Sequence, residues 1–282
     1  MNNKPTVHFT QKTLLNPANP ITVHLIGAGG TGSQVLTALA RINASLVALG
    51  HAGLFVRLFD DDTVTSANLG RQLFAASETG LNKAVALINR LNRFFGTNWK
   101  AVPAAFDRDY VQRNPETACA NLTISCVDTV PARFDIAEIL KSHRKGALHV
   151  DRSYYWMDFG NSRYSGQVIL SSVGNIEQPK SKKFDALGTL PFITDEFPAL
   201  LKAAGNDNTP SCSLAEALTK QDLFINSALA NAGASLLWQL FREGMTGTRG
   251  FFLNLKDFRM QPLGMPAKVV GVNTSSLLPH AA

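Results

Sequence analysis

Ile21-Thr22-Val23-His24-Leu25-Ile26-Gly27-Ala28-Gly29-Gly30-Thr31-Gly32 is the stretch that decides the fold. A short β-branched run, Ile21–Ile26, ends at Gly27 and suits a buried parallel strand. Glycines at 27, 29, 30 and 32 then satisfy a G-x-G-x-x-G turn, and an apolar helical pattern follows from about Gln34 to Leu49. The glycines have a steric purpose: the backbone must approach phosphate closely while amides at the helix N-terminus face the anion. A second strand, Leu54–Phe59, ends at Asp60, where a carboxylate is placed to accept hydrogen bonds from ribose hydroxyls. These features by themselves specify an adenine nucleotide, and NAD is its commonest form.

Further along the chain, Lys83–Phe95 reads as an amphipathic helix, Asn121–Val127 as a strand ending at Asp128, and Pro131 to about Lys141 as a helix with proline near its start. Ala147–Val150 and Gly166–Leu170 are strand candidates. Residues 171–212, with Pro179, Pro191, Pro198 and Pro210, read as a mobile crossover loop carrying a short helix near Phe197–Ala204. Leu214–Arg242 reads as one long or kinked helix, Phe251–Leu255 as a late strand, and residues 263–282 as a flexible tail. Alternating strands and helices predict a Rossmann-like, doubly wound α/β fold with a largely parallel sheet and an inserted crossover segment. Without a clean linker, residues 1–282 form a single domain in this reading.

The segment after Asp60 carries chemistry that a dehydrogenase does not need. Asp60-Asp61-Asp62-Thr63-Val64-Thr65-Ser66-Ala67-Asn68-Leu69-Gly70-Arg71-Gln72, then Gly80-Leu81-Asn82-Lys83, places an amide, a guanidinium and an ammonium group behind the ribose acid. A triphosphate needs such donors, because its charge must be neutralised before phosphorus is attacked. Lys83 opens a helix, so its ammonium and the positive helix end point at one anion.

This ordered set resembles the ThiF/MoeB superfamily of adenylating enzymes, relatives of the ubiquitin-activating enzymes. The family pattern reads here as Gly27–Gly32, Asp60–Gln72, Gly80–Lys83 and Cys126-Val127-Asp128, with Ala67 where the family has serine. The resemblance implies that Gly27, Gly29, Gly30 and Gly32 cradle ATP and that Asp60, with Asp62 beside it, holds the ribose. It assigns phosphate contacts to Asn68, Arg71, Gln72 and Lys83, and Mg²⁺ to Asp128. The implied reaction is adenylation of the C-terminal glycine carboxylate of a ubiquitin-like or sulfur-carrier protein.

Cys212, in Pro210-Ser211-Cys212-Ser213, has two readings that the residues leave open. One is a nucleophile that receives the acyl group; the other is an inert residue capping a helix. Family members with a carrier-protein role usually have two Cys-x-x-Cys pairs for zinc, and this chain has none, so no zinc site is expected. The N-terminal arginine segment that completes the partner's site in dimeric members is also missing from Met1–Pro20, which leaves a homodimer open. Ser153–Ser165, with Tyr154, Tyr155, Trp156, Phe159 and Tyr164, is either a docking surface or sheet core. These departures most resemble the ThiF-related component of the bacterial PRTRC system, a group typically encoded beside a ubiquitin-like protein.

Composition narrows the class further. The chain is 45% hydrophobic and 17% charged, which supports a sizeable core. No apolar run reaches the roughly 20 residues of a membrane span, and no secretory h-region precedes Ile21. Three cysteines exclude a disulfide framework, and a cytoplasmic protein is expected. The net charge of +6 is scattered, apart from Lys180, Lys182 and Lys183, which argues against nucleic acid as a partner. A nicotinamide-dependent oxidoreductase and a non-catalytic nucleotide-binding scaffold are the competing functions.

Overall fold

The computed structural model describes residues 4–143, 152–203 and 220–266. In chain order its elements are β1 (Thr6–Phe9), α1 (Lys12–Leu15), β2 (Ile21–Ile26), α2 (Gly30–Ala48), β3 (Leu54–Phe59), α3 (Lys83–Phe95), β4 (Lys100–Val102), α4 (Arg108–Arg113), β5 (Leu122–Ser125) and α5 (Val130–Ser142). Then follow β6 (Tyr155–Asn161), β7 (Ser165–Ser172), β8 (Asp185–Ala186), α6 (Ile193–Glu196), α7 (Pro198–Ala203), α8 (Ile225–Glu243), β9 (Met245–Thr246), β10 (Thr248–Asn254) and β11 (Arg259–Gly264).

Eight strands form the central sheet in the order β11-β10-β7-β6-β5-β2-β3-β4. From β4 to β6 every pairing is parallel, and from β6 to β11 every pairing is antiparallel. On one face, α2, α3 and α8 pack against Val23, Leu25, Val56, Leu58, Ile124 and Met157. On the other, α5 and α6 pack with Trp156, Ile169, Phe59 and Phe106. The expected doubly wound α/β fold is therefore present, with an antiparallel extension on one side. Both faces of β2 and β5 are covered, so even the polar His24, Thr123 and Ser125 are buried.

The chain leaves β2 toward β3 and β4 on one side, then returns to lay β5 on the other. This reversal opens a crevice at the carboxyl ends of β2 and β5. A smaller three-stranded sheet, β8-β1-β9, joins the N-terminal strand to residues far along the chain. Buried His8 fastens it: Nδ1 lies 2.6 Å from the Leu187 carbonyl and Nε2 2.8 Å from the Tyr155 hydroxyl. Burial lowers the His8 pKa, so the ring serves as a neutral hydrogen-bonding group.

Several boundaries depart from expectation. Residues 171–203 are not an irregular loop: Ile176, Leu190, Phe192, Ile193 and Leu201 are buried, and β8, α6 and α7 lie among them. The chain turns at 221–224, so α8 begins only at Ile225. β11 runs through Gly264, so the first two residues of the tail expected over 263–282 are strand, and 267–282 lie outside the described residues. The aromatic stretch is core, with Tyr155, Trp156 and Phe159 buried in β6. The strand candidate Ala147–Val150 and the residues around Cys212 lie outside the described residues. Among those described, no helix is long and apolar enough to cross a membrane.

Candidate active site

The glycine turn leaves β2 through Gly27, whose φ of +93° lies in the left-handed region that disfavours a side chain. A Cβ there would stand 2.8 Å from the Cys126 carbonyl oxygen, and one at Gly32 only 1.8 Å from the Gly27 carbonyl oxygen. Beside Gly29, by contrast, a Cβ would meet nothing within 4 Å. The turn is thus packed behind and open in front. With Gly29 as N-cap, α2 starts at Gly30 rather than near Gln34, so the glycines themselves form its first turn. The N–H groups of that turn have no acceptor within the helix and are available to an anion.

Asp60 closes β3 against this turn. Its Oδ2 accepts the Ala28 N–H at 2.6 Å and its Oδ1 the Asp62 N–H at 3.0 Å. Burial pushes its pKa up to about 6, opposed by the Ala28 N–H and by the charge of Lys83. Asn82 caps α3 by accepting the Val85 N–H at 3.0 Å, while its Nδ2 donates to the Asp60 and Asp62 carbonyls. The start of α3 is thereby locked beside the ribose acid. Lys83 is buried, and its Nζ sits 2.7 Å from the carboxylate of exposed Asp62.

Between these elements, Asn68 accepts the Thr65 N–H at 2.8 Å and so shapes its own loop. Gln72 is buried, with Oε1 lacking a hydrogen-bond partner. Arg71 donates from Nη1 to Gln221 Oε1 at 2.5 Å, its buried Nε is unpartnered, and desolvation lowers its pKa. Gln221 in turn accepts from Asn226 Nδ2 at 2.9 Å, and Asn226 Oδ1 accepts from Thr31 Oγ1 at 2.8 Å. The segment 60–83 and the glycine turn are therefore joined by Gln221, from the turn before α8, and Asn226, from its first turn.

At the end of β5, Asp128 is exposed on the crevice side of a tightly held turn. The holding group is Arg133 of α5, which sequence reasoning missed. Its Nη2 donates to the Val127 carbonyl at 2.6 Å and the Phe159 carbonyl at 3.1 Å, and its Nη1 to the Thr129 carbonyl at 3.2 Å. The carbonyls of both residues that flank Asp128 are thus held by one guanidinium. Arg133 pairs through Nε with buried Asp158, which also accepts from Ser125 Oγ at 2.6 Å. No signal in the sequence marked this pair, because Asp158 is embedded in the aromatic run of β6. Cys126 lies against it, and burial, reinforced by Asp158, pushes its thiol pKa well up; this cysteine is core.

Hydrogen bonds tie Asp60 to the glycine turn, Asn82 at the head of α3 to Asp60, and Arg71 through Gln221 and Asn226 to Thr31, while Cys212 lies outside the described residues. The open face of the turn, the helix N-terminus and two cations fit a nucleotide triphosphate. One free-standing carboxylate at Asp128 also fits Mg²⁺, which takes one or two carboxylates and completes its shell with phosphate oxygens and water.

Solved structures share this architecture. PaaA is 16% identical over 87% of this chain and 64% of its own, with a TM-score of 0.55. MccB of E. coli is 14% identical over 95% of this chain and 68% of its own, with a TM-score of 0.57. MccB solved with ATP gives a TM-score of 0.55 at 15% identity, covering 91% of this chain and 66% of that one. At these identities the likeness concerns the fold, and the chain spans about two thirds of the length of these neighbours. No curated protein sequence matches the chain. The model of the ThiF family matches residues 6–270, nearly the whole sequence. On that match, with the glycine turn and the Asp60–Lys83 segment tied together by hydrogen bonds, the chain belongs to the ThiF family.

Proposed function

We propose that this protein binds ATP in the crevice and adenylates the C-terminal carboxylate of a small protein, with a ubiquitin-like or sulfur-carrier protein ending in glycine as the substrate class. The reading rests on Lys83, Arg71 and Asp128: Lys83 pairs with Asp62 beside Asp60, Arg71 is tied to the glycine turn through Gln221 and Asn226, and Asp128 is exposed at the end of β5. A nicotinamide cofactor gives these three no task. Support for the nucleotide comes from MccB, whose fold this chain shares and which has been solved with ATP and, separately, with MccA.

In the reaction, a carboxylate oxygen of the carrier attacks the α-phosphorus and forms an acyl-phosphate bond. The bond from that phosphorus to the bridging oxygen breaks, and pyrophosphate leaves with the electron pair. The N-terminus of α2 and the side chains of Arg71 and Lys83 neutralise phosphate charge, while Asp60 orients the ribose. Asp128 would hold Mg²⁺, which supplies further neutralisation at the reacting phosphates when bound. Positioning and charge account for most of the catalysis, so no general base is required of the chain. Where Cys212 then receives the acyl group, its sulfur displaces AMP and leaves a thioester. The PRTRC resemblance favours a ubiquitin-like protein as the carrier, in a cytoplasmic setting.

ATP–pyrophosphate exchange, with and without a ubiquitin-like protein ending in glycine, tests the proposal. Exchange is expected to depend on that protein and on Mg²⁺, and Asp128→Ala is expected to reduce it at least about 100-fold with the fold intact. Retained exchange in Asp128→Ala removes the assignment of that carboxylate. ATP binding without exchange points to a scaffold, and preferential binding of NAD overturns the reading.

A further inference from the structure

The charge on Arg71 is held in an unusual way. Desolvation lowers its pKa, yet the partner of Nη1 is the neutral amide of Gln221 rather than a carboxylate. Gln221 Oε1 is itself fixed, accepting from Asn226 Nδ2 at 2.9 Å. Asn226 is 2% exposed, and its Oδ1 accepts both from Thr31 Oγ1 at 2.8 Å and from Asn161 Nδ2 at 3.2 Å. The same amide fills the space beside Gly30, where a Cβ would lie 2.5 Å from Asn226 Nδ2. Arg71 is therefore registered to the first turn of α2 by an unbroken series of side chains: Thr31, Asn226, Gln221, Arg71.

A neutral acceptor orients a guanidinium without cancelling its charge, whereas a carboxylate would form an ion pair and compete with any incoming anion. We infer that Gln221 and Asn226 are positioning residues, which set Arg71 over the phosphate-facing end of the glycine turn and leave its charge free for ATP. This inference rests on the crevice being an ATP site. It assigns the turn before α8 and the first turn of that helix a part in nucleotide selection that the motif from Asp60 to Lys83 does not contain.

Binding of ATP and of adenosine to the full-length protein, measured by calorimetry, separates this role from a structural one. Gln221→Glu is expected to weaken ATP at least tenfold, and Gln221→Ala less so, because the alanine loses orientation while the glutamate also cancels charge. Adenosine, which carries no phosphate, is expected to bind all three proteins alike. Asn226→Ala is expected to show the same ATP-selective loss. Unchanged ATP affinity in Gln221→Glu overturns the inference, as does a parallel loss of ATP and adenosine affinity with a lowered Tm. Wild-type protein that binds no ATP overturns the adenylation reading as well, so the two failures are distinguishable.

Discussion

Asp60 carries two tasks that oppose each other. Its carboxylate accepts two backbone N–H groups, yet burial raises its pKa to about 6, so ionising it costs folding free energy. The folded pKa lies above the unfolded value of 3.8, so the stabilising contribution is present below that value and is lost as pH rises through about 6. Asp60→Asn is therefore expected to remove this fall in Tm between about pH 4 and 6 while weakening ATP binding about tenfold or more near neutrality. Denaturation at a series of pH values, paired with ATP titration, checks both halves. The place of Asp60 was legible because a strand end followed by an acid is a local pattern, whereas the readings of Lys83 and Asp128 rest on the ordered motif and its resemblance to the ThiF/MoeB superfamily. Arg133 and Asp158 were not. They meet only when α5 packs across the end of β6, and no local spacing announces a contact made by tertiary structure. The same holds for Gln221 and Asn226, which lie some 150 residues beyond Arg71.

At the level of elements, β2, β3 and α3 fall where their apolar patterns and punctuation place them. Asn82 at the N-cap and Gly96 in the left-handed region at the end of α3 are the signals that bound it. The start of α2 was harder to read. Glycine has poor helix propensity, yet Gly30 and Gly32 stand in the helix because a Cβ at Gly30 would meet the Asn226 side chain and one at Gly32 the Gly27 carbonyl. A Cβ at Gly32 would strike backbone, which cannot rotate aside as a side chain can. Gly32→Ala is accordingly expected to destabilise the protein by about 3 kcal/mol or prevent folding, with thermal denaturation as the check. β6 was missed because its residues bury both faces and mix aromatic, acidic and glycine positions without alternation.

For the molecule as a whole, sequence pattern conveyed β2, β3 and β5 at the centre of the sheet and β7 and β10 beyond it, and missed β4, β6 and β11. The parallel half is built from β-α-β units whose parts are near neighbours in sequence. The small sheet is the opposite case, since β1 pairs with Asp185–Ala186 and Met245–Thr246, far along the chain. Tyr155 is the buried link, accepting the Gln11 N–H at 3.0 Å and meeting His8. Tyr155→Phe is expected to cost about 1–3 kcal/mol and lower Tm by several degrees, as a melting curve would show, without altering ATP affinity. The arrangement also orders events during translation. β2, α2 and β3 can associate as soon as they leave the ribosome, but β1, made before all of them, has no strand to pair with until Asp185 and then Met245 emerge. The first strand synthesised is therefore the last to be zipped in, and the N-terminal segment waits in solvent while the nucleotide crevice is already taking shape.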